Sequence, residues 1–135
     1  MPPFLLSQRV YIEDTDAGGI VYYVNYLKYM ERARTEFMRS LGYGKGALFN
    51  VDLMFVVAET QIKYLKPAKL DDELAVSSEV LSVKGASLLF RQQVSRGRDI
   101  LCAGTVQVAC VARQSLKPTR IPAEMLAQLR RTNGE

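Results

Sequence analysis

At 135 residues and 48% apolar, the chain suits one domain spanning 1–135 and holds no run approaching the ~20 apolar residues of a membrane-spanning helix. It has no histidine and only two cysteines. Those counts exclude Ser-His-Asp and Cys-His nucleophilic systems, histidine-ligated metal sites and zinc ribbons, so any hydrolysis must run on carboxylates, hydroxyls, lysine or backbone dipoles.

The net charge of +4 comes from scattered Lys and Arg, with no polybasic run or aromatic–basic motif. No nucleic-acid partner is expected. A plain basic surface accounts for the charge, and a patch for an anionic, nucleotide-bearing coenzyme is the functional alternative. The N-terminus from Met1 to Leu6 carries neither a basic segment nor a long apolar run, so it does not read as a secretory signal, and a cytoplasmic location is expected.

In chain order, Ser7 to Ile12 reads as a first strand, and the polar, glycine-containing stretch Glu13 to Gly19 as a loop. From Asn25 to Leu41 the spacing predicts a helix. Tyr26, Met30, Ala33, Phe37 and Leu41 make one apolar stripe, Lys28, Arg32, Thr35 and Arg39 occupy another face, and Gly42 supplies the stop. On that helix Arg32 and Glu36 form an i,i+4 pair, and Glu31 is expected to pair with Arg34.

A glycine-rich connection (Gly42, Gly44, Gly46) leads to strands at Leu53 to Leu65, Leu74 to Val83, Leu88 to Val94 and Ile100 to Ala112. Turns are expected at Lys84-Gly85 and Arg96-Gly97-Arg98-Asp99, and a bulge or close backbone contact at Gly104. A short helix, Ala123 to Arg131, closes the chain. Cys102 and Cys110 sit eight residues apart on one strand face, roughly 26 Å at ~3.3 Å per residue, so they read as small buried residues and not as a disulfide. One strand, one long apolar helix and four further antiparallel strands make an α+β order. A helix that apolar is expected to be enclosed by the sheet.

The chemistry lies in Glu13-Asp14-Thr15-Asp16-Ala17-Gly18-Gly19, just before the long helix. Two carboxylates and two glycines make a tight loop that a ligand can approach closely, and the helix N-terminus beyond it offers unpaired N–H groups. A carboxylate beside such donors suffices to hydrolyse a thioester, whose thiolate leaves readily. On the residues alone a solvated turn or a cation loop is equally open. Asp14 reads as a structural cap, and Asp71-Asp72-Glu73 as a turn between strands.

The run from Arg9-Val10 through Glu13-Asp14-Thr15-Asp16-Ala17-Gly18-Gly19-Ile20-Val21-Tyr22 to Tyr26 resembles the signature of the 4-hydroxybenzoyl-CoA thioesterase family. It is most similar to the branch of acyl-CoA thioesterases associated with the Tol–Pal envelope system. Glu31-Arg32-Ala33-Arg34-Thr35-Glu36, Val56-Val57, Pro67-Ala68-x-Leu70-Asp71-Asp72 and Lys84-Gly85-x-Ser87 extend the resemblance along most of the chain. It implies a hotdog fold, a sheet wrapped around one helix, and hydrolysis of an acyl-CoA or an acyl group on acyl carrier protein.

Within that resemblance Asp16 matches the catalytic carboxylate, as nucleophile or general base. The backbone near Tyr23, with Gly19 in the loop, matches the group that polarises the thioester carbonyl. Lys84 and Ser87 match the turn that holds the coenzyme. No metal or cofactor is implied, and a homodimer or homotetramer is expected. Many members of the Tol–Pal branch carry histidine where this chain has Tyr23, whereas aromatic-substrate members of the wider family carry tyrosine, so the acyl preference stays open. The rival reading is a non-hydrolytic acyl-CoA-binding module.

Overall fold

The computed structural model describes residues 3–44 and 52–133; Gly46 lies outside them. Strand β1 (Phe4–Arg9) leads through a 3-10 turn (Ile12–Asp14) and the acidic loop to helix α1 (Asn25–Ser40). Strands β2 (Leu53–Tyr64), β3 (Glu73–Val83), β4 (Ser87–Arg96) and β5 (Asp99–Ala112) follow, and helix α2 (Ala123–Thr132) ends the described chain. The five strands form one sheet in the order β1-β3-β4-β5-β2, every pairing antiparallel. This is the α+β hotdog arrangement predicted.

Helix α1 begins where the periodicity predicts and ends one residue earlier. Tyr26, Met30, Ala33 and Phe37 of the stripe are buried, and Asn25, Tyr29 and Met38 join them. Gly42 at φ +96° ends the helix, with the Gly42 amide donating to Arg39 O at 2.9 Å and the Tyr43 amide to Met38 O at 3.0 Å. The buried face packs against β1, β3 and β4. Phe37 meets Phe90 edge-on, ring centroids 5.7 Å apart.

Strand β1 starts three residues earlier than expected, Phe4 pairing with Ser78 of β3, and ends three residues earlier, because Tyr11 to Asp14 folds into a turn instead of extending. On β4 the alternation Leu88, Phe90, Gln92, Val94 faces inward along its whole length. Cys102 and Cys110 are buried and unbonded in β5, and burial pushes the Cys102 thiol up to about 12. Gly104 pairs in register with Ile62; a side chain there would collide with the Gln61 carbonyl and Ile62, so its role is close strand approach. The irregularity in β2 falls elsewhere, between Val57 and Glu59.

Two expected ion pairs are replaced. Glu36 pairs with Arg39 at 3.1 Å, while Arg32 donates to Gln8 Oε1 and lies over the Tyr29 ring. Arg34 donates to Gln92 Oε1 at 2.9 Å and makes no contact ion pair with Glu31 among the described residues.

Candidate active site

The acidic loop is stitched at both ends, which fixes where Asp16 stands. Thr15 bridges to Val21, and Ile20 to Lys69. The Val21 amide donates to Ala68 O at 2.9 Å, and the Leu70 amide to Gly19 O at 3.2 Å. Asp14 does the structural work expected of it. Its carboxylate accepts from the Tyr11 amide at 2.9 Å, and its carbonyl accepts from the Tyr22 amide at 2.9 Å and from Asn25 Nδ2 at 2.8 Å. Asn25 and Asp14 are both buried, so the loop is bolted to the first turn of α1.

On that base Asp16 is exposed. Its Oδ1 accepts the Gly18 amide at 2.8 Å, which orients the carboxylate and leaves the other oxygen open to solvent. Gly19 closes the turn at φ +79°, its amide donating to Asp16 O at 3.1 Å; a side chain there would be strained, since L-residues rarely adopt that conformation.

Next to this loop the helix opens. Val24 precedes α1 in helical conformation and no side chain caps the end. The amides of Tyr23 and Val24 have no acceptor among the described residues. They form the positive end of the helix dipole, a setting that favours negative charge in general. Tyr23 itself is exposed, packed edge-on against Tyr64 at 5.8 Å, and Tyr64 lies 5.6 Å from Tyr26. Burial, more than neighbouring charge, raises the Tyr64 pKa above its usual value. The Tyr26 hydroxyl accepts the Ala68 amide at 2.9 Å, tying helix, strand end and loop together.

Lys84 and Ser87 form the turn between β3 and β4, with the Lys84 amide donating to Ser87 O at 2.7 Å. The Lys84 side chain is exposed. Arg120, which sequence reasoning missed, stands beside Gly85, because the Ile121 amide donates to Gly85 O at 2.9 Å. No motif marks Arg120; only this contact brings it there.

The two halves of the expected site do not meet within one protomer. The Asp16 loop is bonded to the segment just before β3, whereas Lys84 follows the end of that strand. The eleven residues of β3 put them roughly 36 Å apart, the width of a small domain. Among the described residues no helix is long and apolar enough to cross a membrane, and no His, Cys, Asp and Glu cluster could hold a metal.

Comparison with known proteins places the chain in a family. The chain is 47% identical over 125 residues to the acyl-CoA thioesterase YbgC of Haemophilus influenzae, covering 92% of each. It is 39% identical to the acyl-CoA thioester hydrolase YbgC of Escherichia coli, over 90% of this chain and 92% of that one. Its backbone matches a crystal structure of a probable thioesterase from Bartonella henselae with a TM-score of 0.85 and 31% identity, over 90% of this chain and 100% of that one. The profile of the thioesterase-like superfamily runs from residue 10 to residue 129, spanning both the acidic loop and the Lys84 turn. By fold, by motif and by these matches together, the chain belongs to the thioesterase-like superfamily.

Proposed function

We propose that this chain hydrolyses an acyl-CoA thioester with the Asp16 carboxylate, as nucleophile or as the base that activates water, while the Tyr23 and Val24 amides stabilise the oxyanion. The observation that carries this reading is an exposed, oriented carboxylate on a loop bolted to a helix end with unpaired amides. The curated relatives are acyl-CoA thioester hydrolases, which supports the same substrate class here. If Asp16 activates water, the hydroxide adds to the carbonyl carbon and the carbon–sulfur bond breaks. If Asp16 itself attacks, the mixed anhydride formed as that bond breaks is cleaved by a water molecule. On either route one water is consumed, the acyl group leaves as the free acid and the thiolate takes up a proton to become coenzyme A.

The site is completed by a second copy. Strand β2 is twelve residues long and, among the described residues, lies at the edge of the sheet with β5 as its neighbouring strand, so most of its outer side is open, and Val57 is exposed. Antiparallel pairing of β2 with itself across a two-fold axis would carry the partner's far sheet end toward this chain's Asp16. That move brings the partner's Lys84–Ser87 turn and Arg120 to the loop, where they would hold the coenzyme phosphates. The working unit is thus a single-domain chain over residues 1–135, assembled as a homodimer or a dimer of dimers, in the cytoplasm. Acyl carrier protein is an alternative carrier of the thioester.

The test is thiol release from short, long and aromatic acyl-CoAs and from acyl carrier protein, with light scattering on the same sample. Hydrolysis by a dimer supports the reading. Tight acyl-CoA binding without thiol release would put the non-hydrolytic module in its place.

A further inference from the structure

Arg34 has no role in the reaction as derived above, yet the fold invests in holding it. Its guanidinium is half-buried at mid-helix, and burial pulls its pKa below the usual value, the charge of Glu31 offsetting part of that. A cation removed from water is costly unless acceptors surround it. Arg34 has one, Gln92 Oε1 at 2.9 Å. Gln92 is fully buried and its amide cannot turn, because Nε2 donates to Met30 O at 2.9 Å and to Ser78 Oγ at 2.8 Å. The remaining guanidinium donors have no protein acceptor among the described residues.

Arg34 lines a cavity of about 120 Å³ between α1 and the sheet. Met38, Phe55, Val57, Leu88 and Phe90 make its apolar walls, and Arg34 and Glu31 its polar edge. At that size it takes the end of a chain, not a whole coenzyme ester. Glu31 and Arg34 share the edge without contact, so a donor and an acceptor of opposite charge are presented side by side. A hydroxyl fits this pair: the guanidinium donates to its oxygen while the carboxylate accepts its proton. A terminal carboxylate fits worse, since Glu31 repels it.

Resting on the hydrolase reading above, we propose that this cavity receives a hydroxylated aliphatic acyl chain, with Arg34 and Glu31 as its specificity-determining residues. Arg34 lies nine residues beyond Asn25, about 13 Å along the helix axis, and six before Ser40, about 9 Å. A single ring anchored by its carbonyl at either helix end does not reach mid-helix, whereas a flexible chain does.

The experiment measures kcat/KM by thiol release on chain-matched acyl-CoAs that are saturated, hydroxylated at successive positions, or carboxylated at the far end. The wild-type protein is expected to favour one hydroxylated chain over the saturated one by about ten- to hundredfold, the range for a hydrogen bond to a charged group out of water. Arg34→Met should lower the hydroxylated substrate at least tenfold more than the saturated one, and Glu31→Gln should raise the carboxylated one. Equal treatment of all chains by the folded wild-type dimer overturns the assignment without touching the hydrolase reading. An equal loss on every chain in Arg34→Met, together with less dimer, would mean the guanidinium serves the subunit interface and also overturns it. Absence of thiol release from every chain would sink the hydrolase reading, and this inference with it.

Discussion

Subunit complementation tests whether one site draws on two chains. Asp16 and Lys84 stand at opposite ends of β3, roughly 36 Å apart along its eleven residues, so neither side chain can serve the other's site within a protomer. Two variants are prepared: Asp16→Asn, and Lys84→Ala combined with Arg120→Ala. The second removes two exposed cation–phosphate contacts of about 1 kcal/mol each, so its kcat/KM should fall roughly thirtyfold. Unfolding and refolding the two together in equal amounts gives hybrids in half of the dimers. If Asp16 of one chain meets the Lys84 turn of the other, one site in each hybrid carries both defects and the other carries neither. Activity at low substrate should therefore recover to about one quarter of wild type, far above the mean of the two parents. Differently tagged chains allow the hybrid to be isolated and assayed alone. A hybrid no more active than that mean would refute the shared site and return each Lys84 turn to a purely structural role.

Three further outcomes follow from particular contacts. Tyr23→Phe keeps the backbone amide and the ring that meets Tyr64, so kcat should fall less than about threefold; a loss beyond tenfold would place the phenol itself in the chemistry. Gly104→Ala drives a methyl into the Gln61 carbonyl and Ile62, and should cost about 1–3 kcal/mol, read as a lower denaturant midpoint with an unchanged slope. Asp72 is half-buried: burial alone would raise its pKa, but the Lys69 amide and the Arg96 guanidinium at 2.7 Å outweigh that and hold it below the usual carboxylate range. Its folded pKa is depressed, so the stabilisation is complete above 3.8, the ordinary value, and is lost as pH falls through the lower folded value. In acid melts Asp72→Asn should then converge with wild type, while at neutral pH it should melt lower; a gap that stays constant down to the lowest pH would rule the linkage out.

Much of this was legible because period and punctuation agree along the chain. The stripe from Tyr26 to Phe37 is spaced for a helix whatever encloses it, and Gly42 and Gly97 sit where positive φ is needed. Asp16 and Gly19 are singled out by the resemblance of their motif, since on the residues alone a solvated turn or a cation loop is equally open. What escaped depends on residues distant in sequence. Arg120 reaches Gly85 only because the loop after β5 folds back onto the turn. Arg34 reads as a partner for Glu31 from spacing alone, but the buried amide of Gln92 competes for it across the core. One signal was available: Gln92 stands in the inward register of β4 among Leu88, Phe90 and Val94, and a polar residue there needs a partner. The end of β1 falls three residues short of the expected one because Tyr11 and Ile12 look strand-like, yet Asp14 capping the Tyr11 amide turns the chain.

The central claim is that the Asp16 carboxylate carries the reaction, and kcat of Asp16→Asn beside a thermal melt tests it most directly. Asparagine keeps the size of the side chain and an oxygen able to accept the Gly18 amide, so the loop and acyl-CoA affinity should survive. Turnover is expected to fall by at least ~10²-fold with the melting temperature nearly unchanged, the lower range for loss of a positioned base. A folded Asp16→Asn protein with near-normal turnover would contradict it.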